Sequence, residues 1–152
     1  MSIVATLCYL FKDGKVLLIR KKRGIGTGKW NGPGGHVENG EDIADAAARE
    51  VREECGLIPF KPEIIGINEF YLGDKLEWIV HIFAVDEFGG TEAGSDEAEP
   101  EWFFTGQLPY DDMWHDDRFW MPLLLKRKKF KGRFYYDKDY GKLLEHNIEV
   151  LE

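Results

Sequence analysis

The sequence has few cysteines and lacks a long apolar run. Its two cysteines, Cys8 and Cys55, predict no disulfide framework of the kind that staples small secreted domains. No apolar run approaches the roughly 18 residues that a membrane-spanning helix needs. The first 20 residues lack a basic segment ahead of an apolar stretch, which argues against a secretory signal peptide. We therefore expect a cytoplasmic protein in a reducing environment, with no membrane partner.

Basic residues are in deficit, because 20 lysines and arginines stand against 28 aspartates and glutamates, for a formal net charge of −8. This charge predicts repulsion from nucleic-acid polymers. Two basic clusters nevertheless occur, at 20–29 and 126–133. We interpret the second cluster as a solvated surface and the first as a source of positive potential for a polyphosphate.

The segments between the turn signals predict a mixed α and β chain. No linker, repeat or composition shift divides the 152 residues, so a single domain over 1–152 is expected. Asp13-Gly14 and Gly73-Asp74 are hairpin signals. The predicted strands are 3–11 and 15–20 around the first signal, 63–72 and 76–85 around the second, and 101–104, 130–137 and 143–150.

Two further segments predict helices, at 42–55 and 117–128. Asn39 is the predicted N-cap of the first, and Gly56 is expected to end it. Pro122 limits the second. The predicted buried stripes are Ile43, Ala47 and Val51 in the first helix, and Phe119, Leu123 and Leu124 in the second. A central mixed sheet sandwiched by two helices, of the α/β (α+β) class, is the expected architecture.

Three glutamates share one face of the first predicted helix. Glu50, Glu53 and Glu54 stand at positions i, i+3 and i+4, so their side chains meet on one side. Like charges repel, and a divalent cation removes that repulsion. Carboxylate oxygens are the ligands that Mg²⁺ and Mn²⁺ prefer. Arg49 reaches Glu53 at i+4 and is predicted to hold it in one rotamer. The helix therefore indicates a metal site.

A glycine-rich segment, Trp30-Asn31-Gly32-Pro33-Gly34-Gly35, precedes this helix. It is expected to bring backbone close to whatever the metal binds, because glycines allow positive φ and expose peptide groups to a phosphate or an ion. Together with the upstream basic residues, the segment predicts phosphoryl chemistry on a diphosphate. In such chemistry metal ions neutralise charge and a carboxylate activates water.

The span from Gly35 to Leu57 carries a family signature. In one-letter form it reads G-x5-E-x7-R-E-U-x-E-E-x-G-U, where U is a bulky aliphatic residue. All nine specified positions are matched, by Gly35, Glu41, Arg49, Glu50, Val51, Glu53, Glu54, Gly56 and Leu57. This pattern resembles the box of the Nudix family. The resemblance implies the Nudix fold, an α/β/α sandwich around a mixed sheet, and Mg²⁺-dependent hydrolysis of nucleoside diphosphates linked to another group.

Residues outside the box resemble one branch of that family. The stretches 21–36, 95–103 and 102–130 are similar to animal oxidised-purine nucleoside triphosphatases of the MutT type, which act on 8-oxo-dGTP. In those enzymes the tryptophan of a W-x-D-D element stacks on the purine, and its two aspartates bind the base edge. The resemblance implies base contacts from Trp114, Asp116 and Asp117, and a further polar contact from Asn31.

The residue pattern alone leaves the W-x-D-D element open. Trp114 could belong to the core, and Asp116 or Asp117 could cap the following helix. In a partly dry pocket, two adjacent carboxyls are not expected to ionise together, so the pKa of one should rise. The pair could then offer a purine one donor and one acceptor.

Several positions depart from that branch or have two interpretations. Ile25 replaces an aromatic residue and Trp78 replaces a methionine, and both are expected to border the base. Pro33 is altered, and His36 stands where a lysine is usual, as either a phosphate contact or a structural histidine. Glu97 matches a glutamate that can bind metal or assist water activation, but it could also belong to an acidic surface loop.

The resemblance assigns a role to each candidate residue. Glu50 and Glu54, with the backbone carbonyl of Gly35, would bind Mg²⁺, with Mn²⁺ as the alternative ion and Glu97 as a further candidate ligand. Glu54 or Glu53 would orient or deprotonate water. The supporting residues are Arg49 for the glutamates, Glu41 for the loop, and Lys21 for a phosphate.

The predicted reaction converts an oxidised purine nucleoside triphosphate into the monophosphate and pyrophosphate, which would cleanse the nucleotide pool in support of DNA repair. A different small-molecule substrate, an ordinary dNTP, ADP-ribose or another nucleoside diphosphate derivative, is the alternative within the family. A non-catalytic nucleotide sensor and an RNA-directed role such as cap removal are the alternatives outside it. The sequence does not distinguish a monomer from a dimer.

Overall fold

The computed structural model describes residues 2–151, which form eleven strands and two α-helices. The strands are β1 (Ile3–Lys12), β2 (Lys15–Lys21), β3 (Trp30–Asn31), β4 (Gly34–His36), β5 (Leu57–Phe60), β6 (Glu63–Leu72), β7 (Lys75–Val85), β8 (Glu87–Gly90), β9 (Ala98–Phe104), β10 (Phe130–Tyr136) and β11 (Leu143–Val150). The helices are α1 (Ile43–Cys55) and α2 (Asp117–Leu125), and 3₁₀ turns lie at Tyr110–Asp112 and Lys138–Tyr140. Within residues 2–151, neither helix is long and apolar enough to cross a membrane.

Nine strands form one mixed sheet. Its main path runs β11-β10-β6-β7-β1-β2-β3, with β4 paired to β1 and β9 paired to β2. The pairs β1–β7 and β6–β10 are parallel, and the other pairs are antiparallel. Strands β5 and β8 form a separate two-stranded sheet. The predicted mixed sheet is therefore confirmed.

Both predicted hairpins are present. Asp13 and Gly14 join β1 to β2 with φ of 54° and 75°, as a tight two-residue turn requires. Gly73 and Asp74 join β6 to β7, and Gly73 has a φ of 60°. The sequence pattern does not predict β3, β4, β5 or β8, because none exceeds four residues and alternation is legible only in longer runs.

Helix α1 begins one residue later than predicted, and its N-cap is Asp42 rather than Asn39. The Asp42 carboxylate accepts the backbone N–H groups of Ala44 and Asp45 at 3.1 and 3.3 Å. Asp42 directly precedes the first helical residue, so its short side chain reaches the first turn, which Asn39 does not. Gly56 ends the helix with a left-handed φ of 75°, as predicted.

Helix α2 lies within the predicted segment but buries a different stripe. Trp120, Met121 and Leu124 are buried, whereas Phe119 is 37% exposed and Leu123 is half-buried. Of the three residues predicted to form the buried stripe, only Leu124 is fully buried. The cause lies outside the helical periodicity, because the Trp120 indole is drawn inward by a buried hydrogen bond described below.

The two helices cover opposite faces of the main sheet. Successive side chains of β1 alternate between these faces, so Cys8 and Leu10 face α1 while Tyr9 faces α2. The α1 side buries Cys8, Leu10, Leu17, Ala47 and Val51, and the α2 side buries Tyr9, Trp120, Met121, Phe130 and Phe134. Both cysteines are buried free thiols. The expected α/β/α sandwich is confirmed.

Candidate active site

Helix α1 directs two glutamates at strand β4. Glu54 is 8% exposed, and its Oε1 accepts the backbone N–H of Gly34 at 2.8 Å. Glu50 lies so close to Gly35 that a Cβ at Gly35 would come within 2.6 Å of Glu50 Oε2. Glu53 points outward, with its side chain 56% exposed. The three carboxylates are predicted to share one face of the helix, and all three line one cavity, but their burial differs sharply.

The glycines beside these glutamates are required by close packing, and the positive φ that glycine allows is not used there. Gly32, Gly34 and Gly35 do not have positive φ. A Cβ at Gly34 would instead overlap the backbone carbonyl of Thr6, because β4 crosses β1 at this point. Positive φ occurs in the preceding loop, at Gly24, Gly26 and Gly28.

Arg49 binds three glutamates and one carbonyl. Its Nε and Nη2 donate to Glu41 at 2.8 and 3.1 Å, and its Nη1 donates to Glu50 at 2.9 Å and to Glu53 at 3.3 Å. Nη2 also donates to the carbonyl of His36 at 3.0 Å. These bonds hold the pKa of Glu41 below its usual range. The predicted contact with Glu53 is present, but it is the longest of the set.

The glutamates open into an acidic cavity of about 260 Å³. Its lining residues are Arg23, Glu50, Glu53, Glu54, Ser95, Asp96 and Glu97. Burial raises the pKa of Glu54 to about 8, and the charge of Glu50 adds to the shift. Burial also raises the pKa of Glu50. Two such carboxyls facing one cavity create a site where a cation would be favoured.

Within residues 2–151, no three histidine, cysteine, aspartate or glutamate side chains are arranged to hold a metal ion together. Glu97 is therefore not grouped with Glu50 and Glu54 as a third carboxylate ligand, and the predicted set of Gly35, Glu50, Glu54 and Glu97 stays a prediction. Glu97 is the outlying member, since its side chain is 61% exposed and pairs with Arg23 at 3.6 Å. The donor chemistry nevertheless fits a hard divalent ion, because carboxylates of Glu50 and Glu54 face the same cavity.

A second, large pocket of about 320 Å³ adjoins the acidic cavity, and Glu54 lines both. The residues predicted to contact substrate all lie in its wall: Lys21, Asn31, Trp114, Asp116 and Asp117. Gly35, Ile25, His36 and Trp78 line it as well. The structure thus brings together residues from separate parts of the chain around one space.

Asp116 and Asp117 are buried where α2 begins, with 3% and 2% exposure. Tyr136 Oη donates to Asp116 Oδ1 at 2.6 Å, and Trp120 Nε1 donates to Asp116 Oδ2 at 2.8 Å. Asp117 Oδ2 is buried and has no hydrogen-bond partner among the described residues. Burial raises the pKa of both carboxyls, and the charge of Asp116 raises that of Asp117 further. Asp116 occupies the N-cap position, but its side chain caps nothing.

Trp114 lies in the pocket wall and outside both buried core clusters. Lys29 Nζ lies 5.5 Å from the centre of its ring, and Tyr140 meets it edge-on with ring centres 6.2 Å apart. Asn31 is fixed in the same wall, since its Oδ1 accepts the N–H of Gly32 at 2.9 Å. The interpretation of Trp114 as a core residue is therefore wrong.

Three of the positions that depart from the animal enzymes, Ile25, His36 and Trp78, also border the large pocket. The rings of His36 and Trp78 meet edge-on, with centres 5.2 Å apart. Ile25 is 66% exposed at the pocket. The pocket is also lined by four aromatic residues that the sequence pattern does not single out, namely Phe70, Trp120, Tyr136 and Tyr140. They lie in segments that read as ordinary strand, helix or turn, and alternation in β10 predicts an inward face without indicating which member borders a cavity.

The family model described as NUDIX domain matches residues 1–124. The chain belongs to the Nudix family. It is 42% identical over 152 residues to the oxidized purine nucleoside triphosphate hydrolase of Danio rerio, covering 99% of this chain and 97% of that protein. It is 41% identical to the mouse protein of the same name, with the same coverage.

Among solved structures, the mutator MutT protein from Bacillus halodurans matches with a TM-score of 0.87 and 29% identity, covering 97% of both chains. The chain is thus a Nudix pyrophosphohydrolase, and the sensor interpretation is set aside. Nudix hydrolases generally need divalent metal ions.

Proposed function

We propose that this Nudix hydrolase converts oxidised purine nucleoside triphosphates, with 8-oxo-dGTP as the reference substrate, into the monophosphate and pyrophosphate. The observation that carries the proposal is that Glu54 lines both the acidic cavity and the large pocket. A purine bound beside the buried aspartates would direct its phosphates toward the carboxylates of α1. Similarity to oxidized purine nucleoside triphosphate hydrolases along nearly the whole chain supports the same substrate class.

The proposed cofactor is Mg²⁺, with Mn²⁺ as the alternative. Glu50, Glu54 and the Gly35 carbonyl would hold it, with Glu97 as a further ligand from the facing loop. When bound, the ion supplies positive charge for the polyphosphate and makes a bound water more acidic. Arg49 keeps the carboxylate of Glu50 in place through its 2.9 Å bond.

The proposed reaction begins when water attacks a phosphorus atom of the bridging diphosphate. The link between the α- and β-phosphates breaks, which releases the monophosphate and pyrophosphate. A glutamate takes the proton from the attacking water. Glu54 is better placed for this than Glu53, which is 56% exposed and bonded to Arg49. Lys21, in the wall of the large pocket, would contact a phosphate.

Base recognition is proposed for the opposite end of the large pocket. The indole of Trp114 offers a stacking surface. The buried aspartate pair would bind the edge of the purine, because Asp117 Oδ2 is desolvated and unpartnered there among residues 2–151. Asn31 would add a polar contact.

Turnover of 8-oxo-dGTP, 2-oxo-dATP, dGTP and ADP-ribose, followed by separation of the nucleotide products, tests this function. We expect kcat/KM for an oxidised purine to exceed that for dGTP at least about tenfold, since a missed polar contact in a buried site is costly. We expect no turnover in EDTA and recovery with Mg²⁺ or Mn²⁺. A preference for dGTP or ADP-ribose would establish the alternative substrate instead, and turnover in EDTA would contradict the metal requirement.

Three expectations from the sequence remain predictions. They are the cytoplasmic location, the preference for free nucleotides over nucleic-acid polymers, and a role in cleansing the nucleotide pool in support of DNA repair. A comparison of 8-oxo-dGTP with an oligonucleotide that contains the same base would test the second.

A further inference from the structure

The buried aspartate pair is asymmetric, and Tyr136 contributes most to the asymmetry. The Tyr136 hydroxyl accepts the backbone N–H of Asp116 at 3.1 Å and donates to Asp116 Oδ1 at 2.6 Å. Trp120 Nε1 donates to the other Asp116 oxygen at 2.8 Å. Asp117 Oδ2 has no such donor within the described part of the chain.

These bonds have a defined direction. An indole N–H can only donate, so Asp116 Oδ2 must accept. The Tyr136 oxygen accepts the Asp116 N–H, and Asp116 Oδ1, at 2.6 Å, is the acceptor for its single proton; a proton on Oδ1 would turn the Tyr136 proton away and break this bond. A proton on Asp116 would therefore disrupt the hydrogen bond from either Tyr136 or Trp120, whereas a proton on Asp117 leaves both bonds intact. Hydrogen bonds to a charged acceptor are the strong ones, so the preference should be decisive.

We infer that Tyr136 is a positioning residue that holds Asp116 as the ionised acceptor and leaves the shared proton on Asp117. This inference rests on the proposed function for its consequence: the pocket reads one fixed order of donor and acceptor along a purine edge. Purines that present the opposite order are then disfavoured. Tyr136 acts through Asp116 and is not assigned a contact with the base.

Other titratable groups face the pair from neighbouring elements. Tyr9 lies on β1, Tyr110 lies in the first 3₁₀ turn, and Lys29 lies in the loop before β3. A backbone hydrogen bond from Trp114 and the charge of Lys29 favour ionisation of Asp117 and so work against the inferred arrangement. Burial and the neighbouring Asp116 charge outweigh them, since the pKa of Asp117 is raised well above its usual range.

Carboxyl NMR of the unliganded protein, labelled with [4-¹³C]aspartate, tests the arrangement without any substrate. Single Asp116→Asn and Asp117→Asn variants assign the two signals. We expect the wild-type protein at pH 7 to show Asp117 at the position of a protonated carboxyl and Asp116 at that of an ionised one. In Tyr136→Phe, both signals should move toward intermediate positions. An ionised Asp117 in the wild-type protein, or an unchanged spectrum in Tyr136→Phe, overturns the inference.

Tyr135→Phe is the matched control, because it removes a hydroxyl from the adjacent residue of β10. Tyr135 faces the other side of the sheet, where its ring stacks on Tyr71 with centres 4.7 Å apart. Its NMR signals should match those of the wild-type protein. A spectrum of Tyr135→Phe that changes like that of Tyr136→Phe would also overturn the inference, because the effect would not be specific to the bonded hydroxyl.

Kinetics test the consequence for specificity. In Tyr136→Phe, the ratio of kcat/KM between 8-oxo-dGTP and 2-oxo-dATP should move toward unity by about tenfold, the effect of a hydrogen bond to a charged group. The ratio should not change in Tyr135→Phe. An unchanged ratio in Tyr136→Phe contradicts the specificity role. If the wild-type protein cleaves neither oxidised purine, the proposed function fails, while the NMR result still decides the position of the proton.

Discussion

The acidic cavity and the large pocket meet at Glu54, yet they are built differently. Most of the acidic cavity comes from two short stretches, the last turns of α1 and residues 95–97. The large pocket takes residues from β1, β2, β3, β4, β6, β7, β10 and both helices. Helical spacing therefore accounts for most of the first site, whereas the second exists only once the sheet and α2 are packed together.

Under the proposed function, the reaction would take place at the acidic cavity and base recognition in the large pocket. The carboxylates of α1 stand on a single helix whose opposite face is buried, so local changes elsewhere should leave them in place. The aspartate pair depends on Tyr136, which is 20 residues away in sequence. Substitutions should therefore affect kcat at the acidic cavity and substrate preference at the large pocket.

Glu54→Gln should have the largest effect, because it removes a carboxylate from the acidic cavity. We expect kcat to fall at least about 100-fold, as is usual when a general base or metal ligand is lost. KM for the oxidised nucleotide should change little, because the aspartate pair is intact. Product formation under saturating substrate measures this. Glu145→Gln, on the exposed edge strand β11, is the control and should retain the wild-type rate. An unchanged kcat in Glu54→Gln would exclude Glu54 from the mechanism.

Asp116→Asn and Asp117→Asn should separate the two members of the pair. An amide nitrogen at position 116 must either face the indole N–H or displace the Tyr136 proton, and it cannot act as the ionised acceptor, so kcat/KM for the preferred oxidised purine should fall about 100-fold. An amide at position 117 still offers a donor, so the loss should be about tenfold. Asp112→Asn, at an exposed 3₁₀ turn, controls for loss of charge. Equal losses in the two variants would contradict the asymmetry.

Trp114→Ala should weaken binding without affecting the chemical step. Stacking of a base on an aromatic side chain is worth about 1–3 kcal/mol, so KM should rise about tenfold with kcat nearly constant. Trp114→Phe retains a smaller ring and should recover part of the loss. Steady-state kinetics with 8-oxo-dGTP provide both constants. A fall in kcat with unchanged KM would argue against stacking on this residue.

The smallest predicted effect concerns stability in EDTA. The pKa of Glu54 is raised to about 8 in the folded protein, so the folded state binds a proton that the unfolded state releases above its ordinary pKa. Stability from this group is therefore full at acidic pH and is lost as pH rises toward 8. At pH 8, Glu54→Gln should unfold about 3 °C above the wild-type protein, or about 1 kcal/mol. At pH 4 the two proteins should have the same melting temperature. A difference in melting temperature that is the same at pH 4 and pH 8 would contradict a raised pKa of Glu54.

Two wrong predictions, the N-cap of α1 and the buried stripe of α2, concern choices that local sequence does not determine. Asn39 and Asp42 are both good N-cap residues, and only the path of the backbone makes Asp42 the one that reaches the first turn. The stripe of α2 was predicted from periodicity, but the bond from Trp120 to Asp116 brings the indole inward and leaves Phe119 37% exposed. In both cases the residue types were suitable, and the choice between them depended on partners beyond the helix.

The family and the hydrolytic reaction class follow from the amino-acid sequence alone, because the signature from Gly35 to Leu57 is matched at every specified position. The crowding of carboxylates on α1 follows from the sequence as well, because any helix places residues i, i+3 and i+4 on one side. Three-dimensional packing decided the rest: Glu54 as the wall between two cavities, the close contact of Gly35 with Glu50, and the unequal bonding of Asp116 and Asp117. These features depend on which distant strand or loop packs beside each side chain, and the spacing of nearby residues does not determine that.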